Sequence, residues 1–351
     1  MAYLSLTYVE NDLRQPLFAI FAAPFAGVPY LLTQLFGASP TVLAVLLNSV
    51  QILMIFGANL TLANLATKSP VRRAVFMLAL GASYTTLLNT LMLEQYVTAY
   101  FWLMLAASCI CTGRTQERLG FYGATGSLLT NVALAPWFSA HNPVRSPLRW
   151  LGDMVKLGLS FIVLMLAFAR FDVIWSVGPK LASLFKFTGS DGWPFVDRVR
   201  QFVSFVHDCF LAPVASVSQG VAPDGILSWR LAHPENWNLC GLVLLVLMLA
   251  GFLLSRRDRL SQLAFYWTIF SFVLLAVIGW GTWETGLILY ALYFGWAYFL
   301  LLFRLIEKIA EKLHATWLTP LVLCAAAALM LWDNLPGIGA LIDYCITYFP
   351  L

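Results

Sequence analysis

Apolar residues run through this chain in long stretches broken by isolated charges. Between Arg259 and Arg304 the one charge is Glu284, with 24 uncharged residues before it (260–283) and 19 after it (285–303). A helix needs roughly 20 apolar residues to cross a bilayer core. The stretch predicts a hairpin with spans over about 260–279 and 286–303, and basic feet at Arg256, Arg257, Arg259 and Arg304. The layout repeats between Arg73 and Arg114, where Glu94 stands alone between 20 uncharged residues (74–93) and 19 (95–113). Its spans are predicted over about 74–92 and 96–112. Apart from this spacing the two hairpins do not match in sequence.

The remaining elements follow from the same pattern. Gln15 to Thr67 carries no charge and is broken at Pro24, Gly27, Pro29, Gly37 and Pro40. It divides into an amphipathic or re-entrant piece, about 16–36, and a span, about 41–66. Gly120 to Phe138 is apolar but carries Thr125, Ser127 and Asn131, and a basic loop flanks it on each side. A full crossing would put those loops on opposite faces, so a re-entrant or interfacial piece is expected. Further spans are expected near 153–170, 237–254 and 315–332, with Arg304, Lys308 and Lys312 on an amphipathic turn before the last. The tail from Asp333 is expected at the interface. Phe195–Val217 mixes Phe and Val with Asp197, Arg198, Arg200, His207 and Asp208, which predicts a helix lying on the membrane surface.

Composition agrees with this picture. The chain is 60% hydrophobic and 11% charged, against about 25% charged for soluble domains. The expected fold is all-α: a polytopic membrane protein of about 8–10 embedded helices, some re-entrant or interfacial. It forms one integral domain over 1–351, with an outer, partly interfacial loop region at 171–236. The net charge of +4 comes mostly from helix feet, so it reports topology and not a nucleic-acid partner. The N-terminus has no basic n-region followed by a cleavage site, so no ordinary signal peptide is expected. Basic feet mark the cytoplasmic side, which leaves Glu94 and Glu284 on the outer face.

Soluble-enzyme motifs such as a phosphate-binding loop or HExxH are absent. The six cysteines and four histidines lack metal-ligand spacing. His207-Asp208, the one tight His–acid pair, reads as a solvated surface pair. Glu94 and Glu284 read either as ordinary turn charges or as carboxylates at the rim of a water-filled cavity. Trp280 and Trp283 fit an aromatic belt or, beside Glu284, a sugar-binding surface.

The run Glu10-Asn11-Asp12-Leu13-Arg14-Gln15-Pro16-Leu17-Phe18 resembles the first outer loop of polytopic glycosyltransferases with the GT-C fold. That resemblance implies a catalytic acid at Asp12, with Glu10 as the alternative. It makes 16–36 a membrane-parallel helix and 41–66 the following span. It also implies a polyisoprenyl-phosphate-linked sugar as donor, transfer on the non-cytoplasmic face, and a bacterial inner membrane. Arg14 or Arg230 would meet the leaving phosphate, while Glu94, Glu284, Trp280 and Trp283 would line the site. The family carries a transmembrane helix ahead of this loop, so the resemblance implies a chain incomplete at its N-terminus. The alternative is a transporter or flippase of a lipid-linked or small polar substrate. Its lone glutamates would be cation or proton sites, and Gly123–Asn131 a broken helix at the binding site. Both readings leave the cofactor and any metal requirement open.

The charge pattern predicts that a cysteine introduced at 94 or 284 reacts with an impermeant thiol reagent from outside, and one at 257 does not. Protection at 94 and 284 with labelling at 257 would invert the topology.

Overall fold

A computed structural model describes residues 14–37, 39–179, 182, 188, 193–213, 217–221, 227–231, 236–280 and 287–348, the two strands by their backbone alone. Apart from one antiparallel hairpin, β1 (Val217–Val221) with β2 (Leu227–Leu231), the named elements are helical. They are α1 (Phe18–Leu35), α2 (Pro40–Ala66), α3 (Pro70–Ala82), α4 (Tyr84–Leu91), α5 (Gln95–Thr112), α6 (Leu119–Ser127), α7 (Pro147–Ala167), α8 (Phe171–Trp175), α9 (Phe195–Asp208), α10 (Leu239–Ser255), α11 (Arg259–Phe272), α12 (Ala291–Lys312) and α13 (Leu318–Tyr348). Among the described residues seven helical segments are long and apolar enough to cross a membrane, or eight if the bent pair α3 and α4 is one span. The protein is thus an all-α polytopic membrane protein. Its residues fall into two compact units, 1–65 with 89–183 and 66–88 with 184–351.

In the first unit α6 lies against α5 through small residues. A Cβ at Gly120 would touch the Ala106 backbone at 3.0 Å, and one at Gly123 would overlap Trp102. Gly126 meets Phe21 of α1 in the same way. Lipid gives no hydrophobic drive for helices to associate, so close approach through glycine is how they gain contact. Trp102 stands edge-on to Phe21 at 5.4 Å and donates its indole N–H to the Phe21 carbonyl at 3.1 Å. α6 is nine residues long, about 13 Å at 1.5 Å per residue. It breaks at Leu128 and continues as a ten-residue 3-10 segment, Leu129–Phe138. Thr125, Ser127 and Asn131 are buried in protein. The Asn131 side-chain amide caps the break by donating to the Ala124 carbonyl at 2.8 Å.

In the second unit α12 is the buried axis. Phe76 of α3 sits edge-on between Phe299 and Phe303 at 5.0 and 4.9 Å. Trp267 of α11 donates to the Tyr293 carbonyl at 3.1 Å. A Cβ at Gly251 of α10 would overlap the Leu301 carbonyl.

Four expectations are corrected here. The predicted arm over 74–92 is not straight: α3 and α4 bend by 67° at Ser83. The second unit supplies partners for the groups this frees, as described below. Phe195–Val217 is not a surface helix along its length. It ends at Asp208, and Phe202, Val203, Phe205 and Val206 are buried, with Phe202 edge-on to Phe272 at 5.2 Å. Arg304, Lys308 and Lys312 lie on α12 itself and not on a separate turn. The tail is no separate interfacial segment either, because α13 runs on to Tyr348 through Pro336.

Replacing Gly251 by Val is expected to destabilise the protein by about 1–3 kcal/mol or more, since the Leu301 carbonyl cannot give way as a side chain would. Gly158, inside α7, has open space around it, so Gly158→Ala should keep stability or raise it by up to about 1 kcal/mol. Melting temperatures in detergent check both, and equal values for the two variants would refute the packing assigned to Gly251.

Candidate functional site

Three polar regions among the described residues bear on the candidate site, and the first is where the N-terminal segment enters. Leu129 N–H donates to the Arg14 carbonyl at 2.8 Å, and Leu17 N–H donates to the Gly126 carbonyl at 2.9 Å. Arg170 donates Nη1 to the Pro16 carbonyl at 2.8 Å and grips Asp172 through Nε at 2.9 Å and Nη2 at 3.0 Å. Its side chain is 2% exposed. Two preceding features aim it inward: α7 closes with Arg170 N–H on the Met165 carbonyl, and Ala169 turns left-handed at φ 57°. A buried arginine is stable only when paired and hydrogen-bonded. So Arg14–Leu17 is anchored on one side by the α6 break and on the other by an ion pair.

Glu94, also of the first unit, sits in the turn between α4 and α5. Its backbone N–H donates to Gln51 Oε1 at 3.0 Å, while Gln51 Nε2 donates to the Asn89 and Met92 carbonyls at 2.8 and 2.6 Å. One buried glutamine of α2 thus holds the whole turn. Leu93 packs on Phe18, Ala22 and Ala26 of α1 and Leu47 of α2. Burial raises the Glu94 carboxyl above the ordinary carboxylate range, against the pull of the Tyr96 and Gln95 N–H groups.

The second region lies where α9 ends, in the second unit. His207 Nδ1 and Asp208 Oδ1 are 2.9 Å apart, with side chains 7% and 16% exposed. This corrects the solvated pair expected from sequence. An amphipathic pattern records that one face is polar, not whether water or protein meets it. Here protein does. Tyr84 N–H donates to the Phe210 carbonyl at 3.0 Å. The Asn334 amide donates to the Ala82 and Phe210 carbonyls, both at 2.9 Å. The Ala212 N–H donates to Asp333 at 3.1 Å. These bonds meet the backbone groups freed by the α3–α4 bend. Burial raises the Asp208 carboxyl, and its bond to His207 opposes that.

The third region is a cleft of about 830 Å³ lined wholly by second-unit residues. Its floor is an ion-pair chain. Arg72 meets Glu307 at 3.1 Å, Arg304 meets Glu307 at 2.7 Å and Asp258 at 3.1 Å, and Arg304 also donates to the Ala66 carbonyl at 2.9 Å. Asp258 in turn caps α11 at the Ser261 N–H, 3.0 Å away. Lys68, Arg256 and Arg257 are exposed, and no acid pairs with them among the described residues. Six basic and three acidic side chains line the cleft, a net of 6 − 3 = +3.

The remaining predicted site residues are scattered or lie outside the described residues, as do Glu10, Asp12, Trp283 and Glu284. Arg14 is exposed. Trp280 pairs with Thr188 in an isolated bridge, and its N–H donates to the Leu274 carbonyl at 2.9 Å. Arg230 stands on β2 opposite Ser218. Sequence pattern passed over Arg170, Gln51 and Asn334. Arg170 carried the one available signal, an arginine at the end of a span with Asp172 two residues on. No family model, curated protein or solved structure matches the chain.

The Asp208 carboxyl gives a pH prediction. A raised pKa means that the folded state holds more protons than the unfolded one between the ordinary value near 4 and the raised value. Stability therefore falls as pH rises through that window. Melting temperatures from pH 4.5 to 7.5 should decline more in the wild type than in Asp208→Asn. Parallel curves would show that Asp208 is not raised.

Proposed function

We propose that the protein is a membrane glycosyltransferase-like enzyme that transfers a sugar from a polyisoprenyl-phosphate donor on the non-cytoplasmic face. The anchoring of Arg14–Leu17 carries this reading. These residues end the acid run that resembles the first outer loop of GT-C enzymes, and they are tied to the α6 break and to the buried Arg170. A reacting carboxylate works only when a rigid surround holds its backbone in place. In this reading Asp12 accepts the proton of the acceptor hydroxyl, with Glu10 as its alternative. The acceptor oxygen forms a bond to the sugar C1, the C1–O bond to phosphate breaks, and Arg14 or Arg230 meets the phosphate left behind. Glu94, whose carboxyl burial raises above the ordinary carboxylate range, is a second carboxyl group of this unit in the reading. A bacterial inner membrane, with an envelope polysaccharide or lipid as acceptor, is the setting that fits this chemistry.

A second reading has its own observation. The α3–α4 bend and the broken α6 are discontinuous helices with buried polar groups at their breaks, a pattern that serves substrate binding in transporters and flippases.

The two readings order the variants differently. As a transferase, Asp12→Asn should lose at least about 100-fold of its transfer rate, as for a missing general base. Glu94→Gln should lose less, and melting temperatures should be unchanged. As a transporter, Glu94→Gln should be the more damaging and Asp12→Asn nearly silent. Sugar transfer measured in membranes carrying each variant separates them, and full activity in Asp12→Asn ends the transferase reading.

A further inference from the structure

We infer that the basic cleft of the second unit binds the phosphate headgroup of an anionic bilayer phospholipid, with its acyl chains along α10. This inference is independent of the transferase reading. The cleft combines two kinds of basic side chain. Arg72 and Arg304 are held by Glu307 and Asp258, so they shape the floor and their charge is largely offset. Arg304 Nε–H is buried and has no acceptor. Among the described residues no acid pairs with Lys68, Arg256 and Arg257 at the rim, and they supply the net positive field. A phosphate offers the oxygens that guanidinium and ammonium groups match.

The neighbourhood of the cleft argues for a lipid over a free anion. Leu253 and Leu254 belong to the cleft lining and are each 55% exposed. Val246 and Leu249 of α10 are also exposed, at 66% and 47%. Val246, Leu249 and Leu253 follow helical spacing, so they form one apolar stripe that runs up to the cationic rim. A small hydrated anion has no use for such a stripe. A phospholipid places its head on the cations and its chains on the leucines. The basic feet also put this end of the unit at the cytoplasmic surface, where anionic lipid headgroups are met.

The alternative is that any pair of basic feet attracts anionic lipid equally. Arg114 and Arg118 supply the comparison: they are exposed feet of the first unit and do not line the cleft. The experiment measures binding of fluorescent phosphatidylglycerol and phosphatidylcholine to the purified full chain in neutral detergent. The wild type should prefer phosphatidylglycerol by at least about tenfold. Arg256→Gln with Arg257→Gln should weaken phosphatidylglycerol about 25-fold, roughly fivefold per cation, and leave phosphatidylcholine unchanged. Arg114→Gln with Arg118→Gln should change it less than about twofold. As a check that needs no variant, raising salt should weaken wild-type binding of phosphatidylglycerol and not of phosphatidylcholine. Equal losses in the two double variants would overturn the site. Competition by millimolar inorganic phosphate at constant ionic strength, or tighter binding of a polyisoprenyl phosphate, would overturn the assignment to a phospholipid.

Discussion

Inside a bilayer a backbone N–H or carbonyl that leaves its helix must find another partner in the protein. Most of what is unusual in this fold answers that requirement. Three interruptions are each matched by a polar side chain that donates to freed carbonyls. Asn131 closes the end of α6, Gln51 holds the α4–α5 turn, and Asn334 spans the α3–α4 bend. An amide side chain suits this work because it carries both donors and an acceptor without charge. Burying it against carbonyls avoids the several kcal/mol that an unpaired amide costs in an apolar surround.

Charge is handled by a second rule. The fold keeps ionised groups at the ends of helices or pairs them closely. Glu307 is 6% exposed and yet contacts two guanidinium groups. Arg170 is sealed in but holds Asp172 in a two-point grip. The unpaired cations all lie where the chain can reach water. The cleft floor is therefore closed by ion pairs, while its rim is exposed.

Much of this was legible in the sequence because charge is so rare in it. The isolated Glu94 and the flanking Arg73 and Arg114 bound α5, which runs from Gln95 to Thr112. The polar residues of 120–138 signalled a piece buried in protein. Basic feet far apart in sequence, Lys68, Arg256 and Lys308 among them, do converge on one cleft. The rest was hidden for physical reasons. The bend at Ser83 has neither Pro nor Gly at its centre, and the residue that makes it tolerable lies about 250 positions away at Asn334. Local pattern cannot show such a dependence. The polar face of α9 read as wet because sequence gives the face and not its neighbour. Of the candidate site, Arg14 and Glu94 are placed by the fold, whereas Glu10, Asp12, Trp283 and Glu284 lie outside the described residues.

The Asn334 clasp also sets an order in time. Translation releases the residues of α3 and α4 long before it releases residue 334, which belongs to the last helix. Until then the Ala82 carbonyl has no side chain from α13 to receive it. A ribosome that stops short of α13 therefore leaves the second unit without the Asn334 donor at its bend.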